Sequence, residues 1–292
     1  MRIPTIRHAF ACVALLLLSA GAAAADQHHI LWSMQGKTNT IYLLGSFHFL
    51  KTSETLPAAI DAAYADATRL VMEIDMDDLD PLQMQQVLAQ LAMQPEGQSL
   101  QRQLGPQTYE RFAAKARELS IDPALLDGFR PWFAAMTVVQ LQLMKLGFDP
   151  ESGVEARLTR RARSDGKPIQ GLETVREQLE IMAGLPEKQQ RDFLLYSVDD
   201  AQRMGSEIDD LLVAWRRGDA AAMAKLLAEG YDEYPDLYRP LTVERNRKWI
   251  PQIEQLLDDR DDYLIVVGAL HLVGTDSVID LLERKGYKIK QL

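Results

Sequence analysis

The alternation of hydrophobic and polar positions predicts strands near both ends of the chain. Two short apolar runs flank Gly36-Lys37-Thr38, a pattern that predicts a β-hairpin. The run at 263–269 is almost continuously apolar, as buried parallel strands are. Pro168 confines a shorter run to a sheet edge or a strand start, because proline cannot donate to a ladder. Strands are predicted over residues 28–35, 39–47, 69–74, 167–171, 263–269 and 287–291.

Helical periodicity dominates the middle of the chain. Asp80-Pro81 is a favourable N-cap and first-turn pair, and Gly286 is a favourable end for the last helix. Helices are predicted over residues 57–67, 80–93, 106–119, 131–145, 154–163, 174–183, 186–215, 219–229, 240–257 and 274–285. The pattern therefore predicts an α/β (α+β-like) protein: a central mixed β-sheet formed by the N- and C-terminal segments, with a large helical middle region.

The first residues have the layout of a secretory signal peptide. Arg2 and Arg7 precede an apolar run at 9–20, and three alanines at 23–25 offer a cleavage site. An uncleaved anchor is the less favoured alternative, because this run is too short to span a bilayer. We expect cleavage after residue 25 and an exported chain, in the periplasm or secreted, with no stable transmembrane anchor after cleavage.

Composition narrows the function further. Cleavage removes Cys12, the single cysteine, so the mature chain has no thiolate ligand, cysteine nucleophile or disulfide. The formal net charge of −10 argues against nucleic acid as a partner, since phosphate binding needs a basic surface. The sequence leaves the oligomeric state open.

One motif occurs twice, each time at the end of a predicted strand. Residues 43–50 and 266–273 both read apolar-apolar-Gly-x-x-His-apolar-apolar, ending around His48 and His271. Strand ends in parallel sheets are where loops gather ligands and catalysts, and imidazole ligates metals or moves protons near pH 7. A single GxxH motif favours an ordinary buried histidine, whereas the pair favours a shared functional site.

Three further residues are candidates beside the histidines. Glu73 interrupts an apolar strand, where a carboxylate is costly to bury unless it is paired or metal-bound. The alternative is that it points to solvent at the end of the strand or binds an arginine. Glu173 follows a short strand and precedes a helix, so it is a candidate acid or simply a helix-start residue. Arg245 suits an oxyanion clamp or a surface ion pair.

The alternative hydrolase and nucleotide signatures are missing from the sequence. It contains no G-x-S-x-G elbow, no H-E-x-x-H helix, no Walker A loop and no dinucleotide fingerprint.

Taken together, these segments resemble the TraB/GumN family, to which the Tiki metalloproteases are related. The resemblance covers nearly all of residues 26–292, which we expect to form one hydrolase domain. It rests on the two GxxH motifs and the strand glutamate, and on Pro168-Ile-Gln-Gly-Leu-Glu-Thr174 and Glu244-Arg-Asn-Arg-Lys-Trp249. Ser46 stands where the family usually has threonine. The resemblance implies a fold similar to erythromycin-esterase and ChaN-like proteins.

The resemblance also implies that His48, Glu73, Arg245 and His271 approach one another, with Glu173 nearby. Our leading hypothesis is hydrolysis of a peptide or another acyl bond. His48, Glu73 and His271 would hold a divalent metal ion (manganese, cobalt or zinc), Glu73 or Glu173 would accept the proton of water, and Arg245 would stabilise the oxyanion. The alternatives are a metal-independent esterase-like reaction with His48 as base, and a non-catalytic ligand-binding envelope protein.

Overall fold

The computed structural model describes residues 28–292 except 77, 79, 200, 202, 233 and 234. The predicted signal peptide, residues 1–25, lies outside the described residues. In the described part of the chain, every helix is too short or too polar to cross a bilayer.

The predicted strands all form, and they join one mixed six-stranded sheet in the order β6-β4-β7-β2-β1-β8. The N- and C-terminal segments of the described chain thus share a sheet, as the sequence predicts. A separate two-stranded antiparallel pair, β3-β5, was not predicted. The strands are β1 Leu31–Gln35, β2 Thr40–Ser46, β3 Leu50–Lys51, β4 Arg69–Met72, β5 Phe148–Asp149, β6 Ile169–Gly171, β7 Tyr263–Gly268 and β8 Ile289–Gln291.

Strand register decides which residues leave the sheet together. Strands β6, β4, β7 and β2 are parallel neighbours, with Met72 opposite Val266 and Ser46 opposite Gly268. Parallel strands end at one edge of a sheet, which is where open α/β sheets bind ligands. The segments that follow these four strands, and the chemistry-bearing residues in them, therefore emerge at the same edge.

Thirteen α-helices occupy the described residues, and most lie within the predicted ranges. The predicted cap at Asp80 forms, since its side chain accepts from the Leu82 N–H. Thr174 and Glu177 also make a reciprocal capping box, which was not predicted. The helices are α1 Ala58–Asp66, α2 Pro81–Leu91, α3 Leu100–Leu104, α4 Pro106–Glu118, α5 Pro131–Lys145, α6 Val154–Asp165, α7 Val175–Ala183, α8 Glu187–Asp199, α9 Met204–Arg216, α10 Ala220–Asp232, α11 Pro235–Tyr238, α12 Glu244–Leu256 and α13 Val278–Arg284.

Two short helices, α3 and α11, lie outside the predicted ranges, and two further regions differ from the prediction. The helix predicted over 186–215 is two helices, α8 and α9. The first ends at Asp199, and an acidic side chain is unfavourable at the C-terminus of a helix because it opposes the helix dipole. The helix predicted over 240–257 begins as a π-helical turn, Arg239–Val243, before α12. Such turns are rare and occur often at functional sites.

The main hydrophobic core surrounds the sheet, and two smaller apolar clusters lie among the helices. All six residues of β7 are buried, which explains why this segment reads as continuously apolar. Trp215 of α9 donates its indole N–H to the Gly45 carbonyl oxygen at 2.7 Å. This bond fixes the helical layer to the end of β2, next to the first GxxH motif.

Candidate active site

A pocket of about 640 Å³ opens at the carboxyl edge of the parallel strands. Its floor contains His48, Glu73, Arg245 and His271, and its walls are mostly apolar side chains from the helices. Glu173 lies beneath this floor, bonded to Arg245. The structure therefore brings together all five residues that the sequence analysis selected.

His48 lies in the loop that leaves β2, with its ring facing the pocket. Its Nδ1 is 2.8 Å from Glu155 Oε1. Although protein surrounds the ring, 57 % of the side chain is exposed, because its free surface lines the pocket. The Glu155 carboxylate raises the pKa of His48 to about 9, against the effect of burial. The resting ring is thus an imidazolium at neutral pH, with Nε2 directed toward the pocket.

Glu155, which the sequence analysis missed, is held under His48 by the start of α6. A Cβ atom on Gly153 would lie 2.1 Å from the His48 carbonyl oxygen, so only glycine permits this close approach. The Val154 N–H donates to the Phe47 carbonyl oxygen at 3.0 Å. Burial opposes ionisation of Glu155, but the charge of His48 and hydrogen bonds from His48 and Ser46 lower its pKa. Glu155 is therefore an ionised partner for the histidine.

Glu73 follows β4 and is 9 % exposed. Its Oε1 accepts the Gly268 N–H at 2.7 Å, and its Oε2 accepts from Gln178 at 3.0 Å and from Arg245. Burial alone would raise its pKa, but the surrounding positive charges and the hydrogen bond from the Gly268 N–H lower the pKa to about 2. Glu73 is a carboxylate at any physiological pH.

Arg245, at the start of α12, joins three of the other site residues. Its Nε donates to Glu173 Oε1 at 2.8 Å, and Nη2 donates to both Glu73 and Glu173. Its Nη1 is 3.1 Å from the Leu241 carbonyl oxygen and 3.0 Å from His271 Nε2. These contacts use all five N–H groups of the guanidinium, which leaves none for a developing oxyanion.

His271 follows β7 in a short 3₁₀ turn and is buried. Because arginine can only donate, His271 Nε2 accepts from Arg245, and the ring proton is on Nδ1. That proton points to Asn246 Oδ1 at 2.6 Å. Burial lowers the pKa of His271 to about 3, so the ring is neutral. The two GxxH histidines are thus in opposite protonation states at neutral pH.

This arrangement bears on the predicted divalent metal ion. His271 Nε2 is 3.8 Å from Glu73 Oε1, but its lone pair already accepts from Arg245. A cation placed there would also lie against the guanidinium. Within the described ranges of the chain, no group of three His, Cys, Asp or Glu residues is positioned to hold a metal ion. As these side chains are arranged, the donor set does not fit manganese, cobalt or zinc.

The glycines of the two motifs serve different purposes. A Cβ on Gly45 would lie 2.4 Å from Ile30 Cγ2, so this glycine permits close packing beneath the sheet edge. A Cβ on Gly268 would lie 3.3 Å from both His48 Nε2 and Glu73 Oε1. The second glycine therefore leaves room in front of a proton donor and a carboxylate that face the same small space.

Sequence reasoning could find the residues that break a local pattern and missed those that do not. Glu155 is an acid in a first helical turn, where acids are common for reasons of the helix dipole. Asn246 and Gln178 sit among ordinary helical residues. The one usable signal for Glu155 was Gly153 directly before an apolar helix start, which indicates a close backbone approach.

Fold and site together define an α/β protein with a histidine, glutamate and arginine site at the carboxyl ends of parallel strands. The TraB/PrgY/gumN family model matches residues 30–291, so the chain belongs to this family. The uncharacterized protein YbaP of Shigella flexneri and that of Escherichia coli (strain K12) are each 23 % identical to it over 279 residues, covering 89 % of this chain and 96 % of theirs. No solved structure matches the chain significantly.

Proposed function

We propose that this protein hydrolyses a peptide or another acyl bond, with side chains rather than a metal ion activating the water. One observation supports this proposal: His48 Nε2 and Glu73 Oε1 border one space in front of Gly268, each 3.3 Å from the position of a Cβ there. A water molecule in this space reaches both groups, and the adjoining pocket accommodates the substrate.

In this mechanism, the neutral form of His48 is the general base. Its Nε2 accepts a proton as the water oxygen attacks the carbonyl carbon, and it returns that proton to the departing alcohol or amine. Glu155 stabilises the imidazolium that forms, as the carboxylate does in a Ser-His-Asp triad, although here water is the nucleophile. Glu73 orients the water by accepting its second hydrogen.

Arg245 and Glu173 act in this proposal through other residues. Arg245 fixes the Glu73 carboxylate and the His271 tautomer, and Glu173 neutralises the guanidinium charge. The sequence analysis suggested Arg245 as the oxyanion donor and Glu73 or Glu173 as the base. The saturated guanidinium and the low pKa of Glu73 favour positioning roles instead. The predicted leader supports action outside the cytoplasm.

The test is hydrolysis by purified residues 26–292 after exhaustive chelation. The substrates are p-nitrophenyl acetate and a mixed peptide library. We expect activity that survives chelation and falls by about 10²–10⁴-fold in His48→Gln, which is the usual contribution of a general base. His28→Gln, at an exposed histidine, is the matched control and should keep full activity.

Other outcomes would overturn the proposal. Activity that returns only when manganese, cobalt or zinc is added would restore the metal hypothesis. Full activity in His48→Gln would remove the assigned base. Retention of a bound compound without turnover would favour the ligand-binding alternative.

A further inference from the structure

The polar and apolar parts of the pocket are separate. Its polar side chains belong to two hydrogen-bonded groups at the sheet edge. Glu73, Gln178, Arg245 and His271 form one group, and Ser46 and His48, which both bond to Glu155, form the other. The rest of the lining is made of aliphatic, aromatic and methionine side chains. One end of the pocket therefore carries the chemistry, and the rest offers only apolar contact.

Helices on several sides provide this apolar wall. Examples are Val139 of α5, Met182 of α7, Phe193 of α8, Leu211 of α9 and Met223 of α10. Methionine side chains are flexible and polarizable, so they adapt to irregular or variable apolar ligands. The wall is suited to a chain-like group that varies in length or shape.

The single polar end discriminates between classes of acyl substrate. A peptide carries an N–H and a C=O at every residue, and burying such groups unpaired costs about 1–3 kcal/mol each. An aliphatic chain carries no such groups. A ligand that has one polar functional group and a long hydrocarbon tail would satisfy both ends of this pocket.

We infer that the substrate is an ester of a medium- or long-chain fatty acid, with the carbonyl carbon at His48 and the hydrocarbon tail along the apolar wall. This inference rests on the proposed hydrolase function. Water supplies the hydroxyl that replaces the alkoxy group on the acyl carbon. The C–O bond to the leaving group breaks, and His48 delivers the proton to the departing alcohol, so that a fatty acid and an alcohol are released.

The experiment combines turnover with binding. Hydrolysis of p-nitrophenyl acetate, butyrate, octanoate and dodecanoate is measured, and dodecanoate binding is followed by calorimetry. Burying a methylene stabilises by about 0.8 kcal/mol, so we expect kcat/KM to rise roughly fourfold per added methylene until the pocket is filled. Leu211→Trp should remove most of this rise, measured as the ratio of kcat/KM for the dodecanoate ester to that for the acetate ester in each protein.

Val213→Trp is the matched control, because Val213 is on the same helix, is 40 % exposed and does not line the pocket. Ile208→Trp is a second pocket variant in case Leu211→Trp does not fold. Equal kcat/KM for acetate and dodecanoate esters would overturn the fatty-ester inference and leave the hydrolase proposal intact. A third outcome is that dodecanoate binds, that Leu211→Trp weakens this binding, and that no ester is hydrolysed. This result would overturn the hydrolase proposal and support a fatty acyl chain as the ligand of the pocket. The absence of both dodecanoate binding and ester hydrolysis would overturn the hydrolase proposal and the fatty-ester inference together.

Discussion

His48 Nδ1 lies 2.8 Å from Glu155 Oε1, so the loop after β2 and the first turn of α6 share a hydrogen-bonded ion pair at the edge of the pocket. This pair fixes the orientation of the histidine and turns Nε2 toward the pocket. It also determines the charge of the ring, since the carboxylate raises the pKa of His48 to about 9. The protonation state of the proposed base is therefore controlled by a residue that does not face the substrate.

Glu155→Gln should shift the pH dependence of activity to lower pH. In the native protein, kcat/KM should rise about tenfold per pH unit up to a limit near pH 9, because the base must lose its proton. Without the carboxylate, the pKa of His48 falls, and the rising limb moves with it. The pH–rate profile measures this shift, and NMR titration of His48 checks it independently.

Glu151→Gln is the control, because Glu151 is an exposed acid whose partner is Arg160. Its pH profile should match that of the unmodified protein. An unchanged profile in Glu155→Gln would show that the ion pair does not set the pKa of the base.

Arg245→Gln should destabilise the fold severely. Arg245 pairs with Glu73 and Glu173, and all three side chains are about 10 % exposed or less. Removing the guanidinium leaves two buried carboxylates unpaired, for which we expect a loss of about 3–5 kcal/mol in the free energy of unfolding. Urea denaturation measures this loss. Arg247→Gln, an exposed arginine on the same helix, should change stability by about 0.5 kcal/mol or less.

The pH dependence of stability should show the neutral state of His271. Its pKa is about 3 in the fold and 6.5 ordinarily, so the unfolded chain binds the proton first. The stabilisation from the neutral ring is complete above pH 6.5 and is lost as the pH falls toward 3. Glu73, with a pKa of about 2 against 4.5, adds a further loss below pH 4.5.

Urea denaturation between pH 7 and pH 4 tests this prediction, with His271→Gln as the variant. The slope of unfolding free energy against pH between 6.5 and 4.5 should become shallower in the variant, whatever its overall stability. His28→Gln should retain the original slope. An unaltered slope in His271→Gln would mean that His271 is not neutral in the fold.

Gly268→Ala should reduce activity without disturbing the fold. The backbone of Gly268, at φ −50° and ψ 136°, is accessible to alanine, so no backbone strain is expected. The new methyl group occupies the space between His48 and Glu73, and displacing the reacting water by about 1 Å costs roughly 10²-fold in kcat/KM. Esterase assays and thermal unfolding measure the two effects.

Gly128→Ala is the matched control, because its nearest neighbour would be Met93 Cε at an ordinary 3.7 Å. Normal turnover by Gly268→Ala would rule out the space in front of Gly268 as the position of the water.

The sequence by itself determined the strands of the sheet and several residues of the site. The apolar runs identified the six strands of the main sheet, most clearly β7, because a fully buried parallel strand leaves a continuous hydrophobic signature. The repeated GxxH motif selected His48 and His271, and the misplaced charge in an apolar strand selected Glu73. These residues were readable since each one breaks a local pattern.

Only the tertiary structure decided how these groups are used. Glu155 reaches His48 through the packing of Gly153, and Arg245 reaches His271 because β7 and α12 meet across the core. Hydrogen-bond partners and burial set protonation states, and both depend on segments distant in the chain. Local sequence therefore indicated which residues could carry chemistry. Long-range packing made one histidine charged and the other neutral, and it fixed the arginine between His271 and the two glutamates.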